Sequence, residues 1–319
     1  MDTNKVNLRK VAVIGCGFVG STSAFALMQS GLFSEMVLID ANTEKAEGEA
    51  LDIVHGVPLA RPMKIYGGSY DDIVDASIII ITAGANQKPG ETRLDLVKKN
   101  VAIFKSIIPE IAERNCQGIL LIVSNPVDIL TYTALKLSGF SKDRVIGSGT
   151  VLDTSRLKHL LGHHLAVDSR SVHAFIIGEH GDSEIAAFSS ANVSGIPIYE
   201  FYDLRGFYHS EEQTAEIAEQ VKNSAYEIID KKQATYYGIA MAVKRICEVI
   251  LRDEKSILPL SVMMEGAYGI RDVVLSMPVV LGKDGVETQV PIGLNQDELK
   301  RLQNSAETLR EVIADIDFQ

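Results

Sequence analysis

Through the first half of the chain, short runs of apolar and mostly β-branched residues alternate with longer stretches of helical periodicity. The runs fall at residues 11–14, 36–40, 77–82, 118–123 and 144–147. They are apolar at successive positions, the pattern of strands buried on both faces of a parallel sheet. Between them, residues 15–30 open with glycines, residues 93–114 are amphipathic with Pro109 as a kink, and residues 127–138 follow an Asn-Pro turn. This order predicts an α/β architecture, a doubly wound parallel sheet of the Rossmann kind, over residues 1–147.

Past residue 148 the pattern changes to α+β. Strands are predicted at 171–177 and 186–193, two successive helices over 211–252, and antiparallel strands over 273–290 around Lys283-Asp284-Gly285. A last helix is expected from Asn295 to Ile316, with Leu299, Leu302, Ala306, Leu309 and Ile313 at helical spacing. Residues 148–319 therefore read as a second, α+β substrate domain, and the absence of a flexible spacer at the junction predicts a rigid interface with a cleft.

Composition narrows the partners. With 319 residues, 46% of them hydrophobic, the chain can bury a full core, which excludes disorder and disulfide-stapled miniature folds. The 31 basic against 42 acidic residues give a formal charge of −11. That field repels nucleic acid and anionic membranes, so an anionic substrate needs a local basic pocket. Cys16, Cys116 and Cys247 are far apart and form no C-x-x-C pair, and they read as reduced thiols. The first ten residues lack an apolar signal core, and the densest apolar stretch, 78–81, is far shorter than the roughly 20 residues that span a bilayer. A cytoplasmic protein without nucleic-acid or membrane partners is expected.

Gly15-Cys16-Gly17-Phe18-Val19-Gly20 follows the first strand and opens a helix, the context in which G-x-G-x-x-G cradles a pyrophosphate. Asp40, at the end of the second strand, stands where a carboxylate accepts both ribose hydroxyls and repels a 2′-phosphate, favouring NAD over NADP. These residues alone leave FAD open. Cys16 reads as a small filler of the turn.

His180, between glycines in Gly178-Glu179-His180-Gly181-Asp182-Ser183, can project from a turn into a cleft. Asp153 and Arg156, three apart at the start of a helix, share one face. A carboxylate beside an imidazole fixes its tautomer and stabilises its charged form, and a guanidinium fork binds a carboxylate. The polar segment from Gly84 to Arg93, with Gln87, lies at the carboxyl end of a strand and could close as a lid. Asn125 ends a further strand at that edge as an amide donor.

These segments, with Val123 to Asp128 and Ala234-Thr235-Tyr236-Tyr237-Gly238, stand in the order typical of the lactate/malate dehydrogenase family. The chain resembles bacterial members over nearly its whole length. The resemblance implies hydride transfer from NADH to the C2 carbonyl of pyruvate, giving L-lactate, the last step of homolactic fermentation. It makes His180 the proton donor, held and charged by Asp153, with Arg156 clamping the substrate carboxylate and Arg93 polarising the carbonyl. Asn125 would add a hydrogen bond there, and Thr235 would line the pocket. Gly15, Gly17, Val19 and Gly20 would meet the pyrophosphate, Asp40 the adenine ribose, and Gly84, Ala85, Val123 and Asn125 the nicotinamide half.

Malate-using relatives carry arginine where Gln87 stands, so a neutral amide argues against oxaloacetate. The resemblance also implies a homotetramer and a fructose 1,6-bisphosphate effector at Lys158 and His173. Lysine there, in place of the usual arginine, keeps the charge and loses the bidentate contact, which leaves weaker activation or none as the alternative.

Two other readings stand beside this one. A catalytically silent NAD-binding module needs only the glycine turn and Asp40, whereas an enzyme needs His180, Asp153, Arg156 and Arg93 as well; malate dehydrogenase is the neighbouring enzyme reading. No metal is expected, because His159 and His163, four apart, lack the glutamate of an H-E-x-x-H motif and a third ligand.

Overall fold

The computed structural model describes residues 6–85, 93–207 and 210–318, without the side chain of Arg93. Six parallel strands form from the first half: β1 (Asn7–Ile14), β2 (Glu35–Ile39), β3 (Lys64–Gly67), β4 (Ala76–Ile81), β5 (Ile119–Ile122) and β6 (Val145–Gly147). Their connections carry α1 (Phe18–Ser30), α2 (Thr43–His55), α3 (Arg93–Glu113), which contains Pro109, and α4 (Val127–Ser138). Strand β3 escaped the sequence reading because Ile65 is its one buried residue. Helix α2 carries only a thin stripe of Ala46, Ala50 and Ile53.

The sheet runs β3-β2-β1-β4-β5-β6. The winding reverses between β1 and β4, and at such a point the loops beyond the strand ends part to leave a crevice. Ile14 pairs with Ile81 and Ile81 with Ile122, so the segments beginning at Gly15, Thr82 and Val123 emerge side by side. Ile78, Ile79, Ile80 and Ile81 are fully buried, as a strand covered on both faces requires.

The second half begins with α5 (Val151–His164), then β7 (Val172–His173), β8 (Ile176–Ile177), β9 (Ile185–Ala186), β10 (Asn192–Val193), β11 (Ile196–Pro197) and α6 (Ile198–Arg205). Next come α7 (Glu211–Lys232), α8 (Tyr237–Arg252), β12 (Ser256–Glu265), β13 (Arg271–Gly282), β14 (Gly285–Gln289) and α9 (Gln296–Ala314). The two strands expected at 171–177 and 186–193 are corrected: each is broken into two-residue pieces that join different small sheets. A physical reason lies at Ile176, whose N–H donates to Thr154 Oγ1 (2.8 Å) and whose carbonyl accepts from Thr150 Oγ1 (2.6 Å), so hydroxyls at the start of α5 replace a ladder partner.

The expected antiparallel strands are present as β13 and β14, and they do not stand apart. Strand β12 pairs with β6 at Ser261 and Gly147, extending the main sheet to nine strands in the order β14-β13-β12-β6-β5-β4-β1-β2-β3. A continuous sheet explains why no spacer sequence separates the halves. Asn295 caps α9 in a capping box with Glu298, as the sequence suggested.

Candidate active site

The glycine turn is dictated by close approach. Gly15 has φ +100°, and a Cβ there would lie 2.5 Å from the Ala83 nitrogen. At Gly20 a Cβ would lie 1.9 Å from the Gly15 carbonyl oxygen, so only glycine lets α1 pack on the turn. Gly17 differs: among the described residues a Cβ there meets nothing within 4 Å. Gly17 is also the N-cap of α1 and supplies no side-chain cap, which leaves the first amides of the helix for an anion.

Asp40 faces the same cleft. Its carboxylate accepts from the backbone N–H of Cys16 (2.7 Å) and of Asn42 (2.9 Å), which fixes its orientation. The cleft is lined further by Lys45, Tyr70, Ser106 and Glu110, four side chains without local sequence signal because they come from three separate elements. Cys16 is buried, and burial followed by the Asp40 charge pushes its thiol up to about 12, so it remains a filler.

Beyond the switch point a second cavity is lined by Val19, Gly84, Ala85, Val123, Ser124 and Asn125. Asn100 on α3, 1% exposed, ties its walls together. Its side chain accepts from Ala85 N (2.7 Å) and donates to the carbonyls of Ala85 (3.2 Å) and Asn125 (2.7 Å).

His180 sits in the turn after β8, and Asp153 and Arg156 lie on the first turns of α5. Asp153 Oδ2 is 2.6 Å from His180 Nδ1, and Oδ1 accepts from Arg156 Nη1 at 2.7 Å. The carboxylate is 3% exposed, whereas the ring and the guanidinium reach the cavity. Burial, the strongest single influence, pulls the imidazolium down, yet the charge and hydrogen bond of Asp153, together with the Asp128 and Glu184 charges, outweigh it and raise His180 to about 9. Burial likewise pushes Asp153 up, and the His180 and Arg156 charges prevail to hold it below the usual carboxylate range.

Sequence reasoning missed the support beneath this pair. The His180 backbone N–H donates to Asp128 Oδ2 (2.7 Å), and Asp128 Oδ1 accepts from Ser261 Oγ (2.6 Å). Glu179 N donates to Ser305 Oγ on α9 (2.9 Å), and Ser183 Oγ bonds Glu179 at 2.5 Å. Asp128 stood within a quoted motif, and Ser305 gave no signal.

The cavity around His180 is lined by Asn125, Asp153, Arg156, Asp182, Glu184, Lys222 and Tyr226. Thr235, half-buried in the connection between α7 and α8, is not among its lining residues. Gln87 and the Arg93 side chain lie outside the described residues; the Arg93 backbone begins α3. Lys158 and His173 share a different cavity with Arg170 and Arg245.

A glycine turn and acidic residue at the switch point of a doubly wound sheet, beside an imidazole, carboxylate and guanidinium in one cavity, define a dinucleotide-dependent enzyme with an acid–base centre. Family models agree. Residues 9–147 match the lactate/malate dehydrogenase NAD binding domain, and residues 150–317 match the lactate/malate dehydrogenase alpha/beta C-terminal domain. The chain belongs to the lactate/malate dehydrogenase family, and its cofactor is NAD.

Among its relatives, an L-lactate dehydrogenase of Acetivibrio thermocellus is 55% identical over 100% of both chains. One of Thermoanaerobacterium saccharolyticum is 53% identical over 98% of this chain and 100% of the relative. In structure, the ligand-bound form of the minor L-lactate dehydrogenase of Enterococcus mundtii superposes with a TM-score of 0.94 at 44% identity, covering 98% of this chain and 99% of the other. The resident NAD fits the residues present: Gly17 leaves room, α1 leaves amides, and Asp40 presents an oriented carboxylate.

Proposed function

We propose that this chain interconverts pyruvate and L-lactate. The observation that carries the reading is Asp153 held between His180 Nδ1 (2.6 Å) and Arg156 Nη1 (2.7 Å) in one cavity. NADH, when bound, supplies the hydride for C2 of the substrate. The protein's own residues do the rest.

His180, kept protonated by Asp153, delivers a proton to the C2 oxygen and recovers it in the reverse direction. Arg156 binds the substrate carboxylate with the part of its fork not engaged by Asp153. Asn125 donates to the substrate oxygen, Arg93 polarises the carbonyl, and Thr235 completes the pocket wall once substrate is bound. Gly15, Gly17, Val19 and Gly20 hold the pyrophosphate, Asp40 the adenine ribose, and Gly84, Ala85, Val123 and Asn125 the nicotinamide side. Lys45, Tyr70 and Ser106 join Asp40 in that cleft.

Gln87 sets the choice against oxaloacetate, whose second carboxylate would be left without a partner. The curated L-lactate dehydrogenases at 55% and 53% identity support the same substrate. Following NADH oxidation with pyruvate against oxaloacetate tests the reading, and preference for oxaloacetate overturns it.

The chain is read as a cytoplasmic homotetramer working in glycolytic fermentation. Phe18 and Phe25 on α1 and Tyr237 and Met241 on α8 are exposed, and burial against other copies would remove that apolar surface from water. Sedimentation at working concentration tests the assembly. A bisphosphate effector is supported by the basic lining of the cavity that holds Lys158, His173, Arg170 and Arg245. Activity with and without fructose 1,6-bisphosphate tests that assignment.

A further inference from the structure

The substrate cavity contains a carboxyl group that the mechanism above does not use. Glu184, in the turn before β9, brings a carboxylate oxygen within 4.8 Å of ligand atoms on both Asp153 and His180. Its Oε1 is buried and has no hydrogen-bond partner among the described residues. Asp153, by contrast, is bonded at both oxygens, by Arg156 and by His180. Two carboxylates this close inside a partly closed cavity do not both ionise readily, and the proton goes to the less well partnered one.

We propose that Glu184 carries a proton in the resting site and must keep it for an anionic 2-oxo acid to bind, so that two groups, His180 and Glu184, govern substrate affinity in alkali. The inference rests on the pyruvate reading. An ionised Glu184 would stand with Asp153 as a second anion near the guanidinium that receives the substrate carboxylate. It would also strengthen the hold of His180 on its own proton, so the two groups titrate as a pair.

Among the described residues, the charged and titratable groups that line the cavity with Glu184 enter the balance. Asp153 and Arg156 come from α5, His180 and Asp182 from the turn after β8, and Lys222 and Tyr226 from α7. Burial acts first and the Asp153 charge second to push Glu184 up to about 8, while His180, Arg156 and Lys222 act in the opposite direction. His180 itself lies at about 9, so the two titrations fall in the same alkaline range.

The test uses oxamate, a non-reducible isostere of pyruvate, binding to the NADH-saturated enzyme. Proton uptake is followed with an indicator dye, and affinity with NADH fluorescence. At about pH 9.5, above both groups, binding to the wild type is expected to take up about two protons, and binding to Glu184→Gln about one. The log Kd against pH should approach a slope of about two in the wild type and about one in the variant. The wild-type stoichiometry stands by itself if the variant does not fold.

Uptake of a single proton by the wild type overturns the proposal and leaves the pyruvate reading intact. An enzyme that neither binds oxamate nor turns over pyruvate near neutral pH overturns the functional reading, and this proposal with it.

Discussion

The carboxylate of Asp128, on the first turn of α4, accepts a hydrogen bond of 2.7 Å from the backbone N–H of His180, 52 residues further along the chain. It is one of the anchors that hold the turn carrying His180 against the rest of the fold. Another is Ser305 on α9, which accepts from Glu179 N, and Gly178 exchanges backbone hydrogen bonds with Ser276 on β13. The ring is therefore aimed by Asp153 while its backbone is fixed from below, the arrangement a preorganised acid–base group needs.

Replacing Asp128 with alanine removes the buried acceptor of the His180 amide and leaves the Ser261 hydroxyl only its longer contact to Ser276 Oγ (3.3 Å). Loss of such partners costs about 1–3 kcal/mol each. Asp128→Ala is expected to lower Tm by several degrees and kcat by at least about tenfold, with a smaller change in KM for NADH. Differential scanning calorimetry and steady-state kinetics check both, and an unchanged kcat would remove Asp128 from the positioning of His180.

Asp153→Asn removes the charge that raises His180. The imidazolium then loses its proton at lower pH, and the alkaline limb of kcat/KM for pyruvate is expected to move to lower pH by about one to two units. The rate at its optimum should fall about 10²- to 10⁴-fold as ring orientation is lost. A pH profile with an unmoved alkaline limb would separate Asp153 from the titration of His180.

Stability is expected to fall in alkali. His180 is raised in the folded chain from 6.5 to about 9, so its contribution is complete below 6.5 and is lost as pH rises through about 9. Glu184, raised from 4.5 to about 8, has the same sign: its proton favours the folded state, and stability declines as pH rises towards that value. Asp153 acts in the opposite sense, because its lowered value adds stability that is lost only when pH falls into the acid range. Tm should therefore be lower at about pH 9.5 than at about pH 7, with a smaller difference in His180→Gln. A flat Tm between those pH values would contradict the charge assignment of the site.

The second and third glycines of the nucleotide turn should fail differently. In Gly20→Ala the new Cβ meets the Gly15 carbonyl oxygen at 1.9 Å, so the folded chain itself is strained and Tm should drop. In Gly17→Ala the Cβ enters open space, so Tm of the cofactor-free protein should hold while Kd for NADH rises at least about tenfold. Equal thermal losses in both variants would show that the space beside Gly17 is not reserved for ligand.

Gln87→Arg tests substrate choice. If Gln87 sets substrate choice as proposed, an arginine at that position would supply a partner for a second carboxylate, and the ratio of kcat/KM for oxaloacetate over pyruvate is expected to rise by at least about 10²-fold. An unaltered ratio would move the specificity determinant to another residue.

What the sequence determined by itself was local. The glycine turn, Asp40 at the end of β2 and the Asp153–Arg156 face all depend on contacts within one supersecondary unit, where spacing dictates geometry. Runs such as Ile78–Ile81 announced a sheet buried on both faces because burial leaves its mark on every residue of the run.

Tertiary structure decided the rest. The extension of the sheet through β12 to β14 depends on one antiparallel pairing at Gly147 and Ser261, between segments that carry no mutual signal. Residues 171–193 fragmented because hydroxyls on α5 compete for the backbone of Ile176, and a β-branched run cannot reveal a competitor elsewhere in the chain. Asp128, Glu184, Asn100 and Ser305 are ordinary polar residues in sequence. They acquire their roles from burial and from the charges brought beside them, because hydrogen-bond partners and local dielectric are properties of the folded chain.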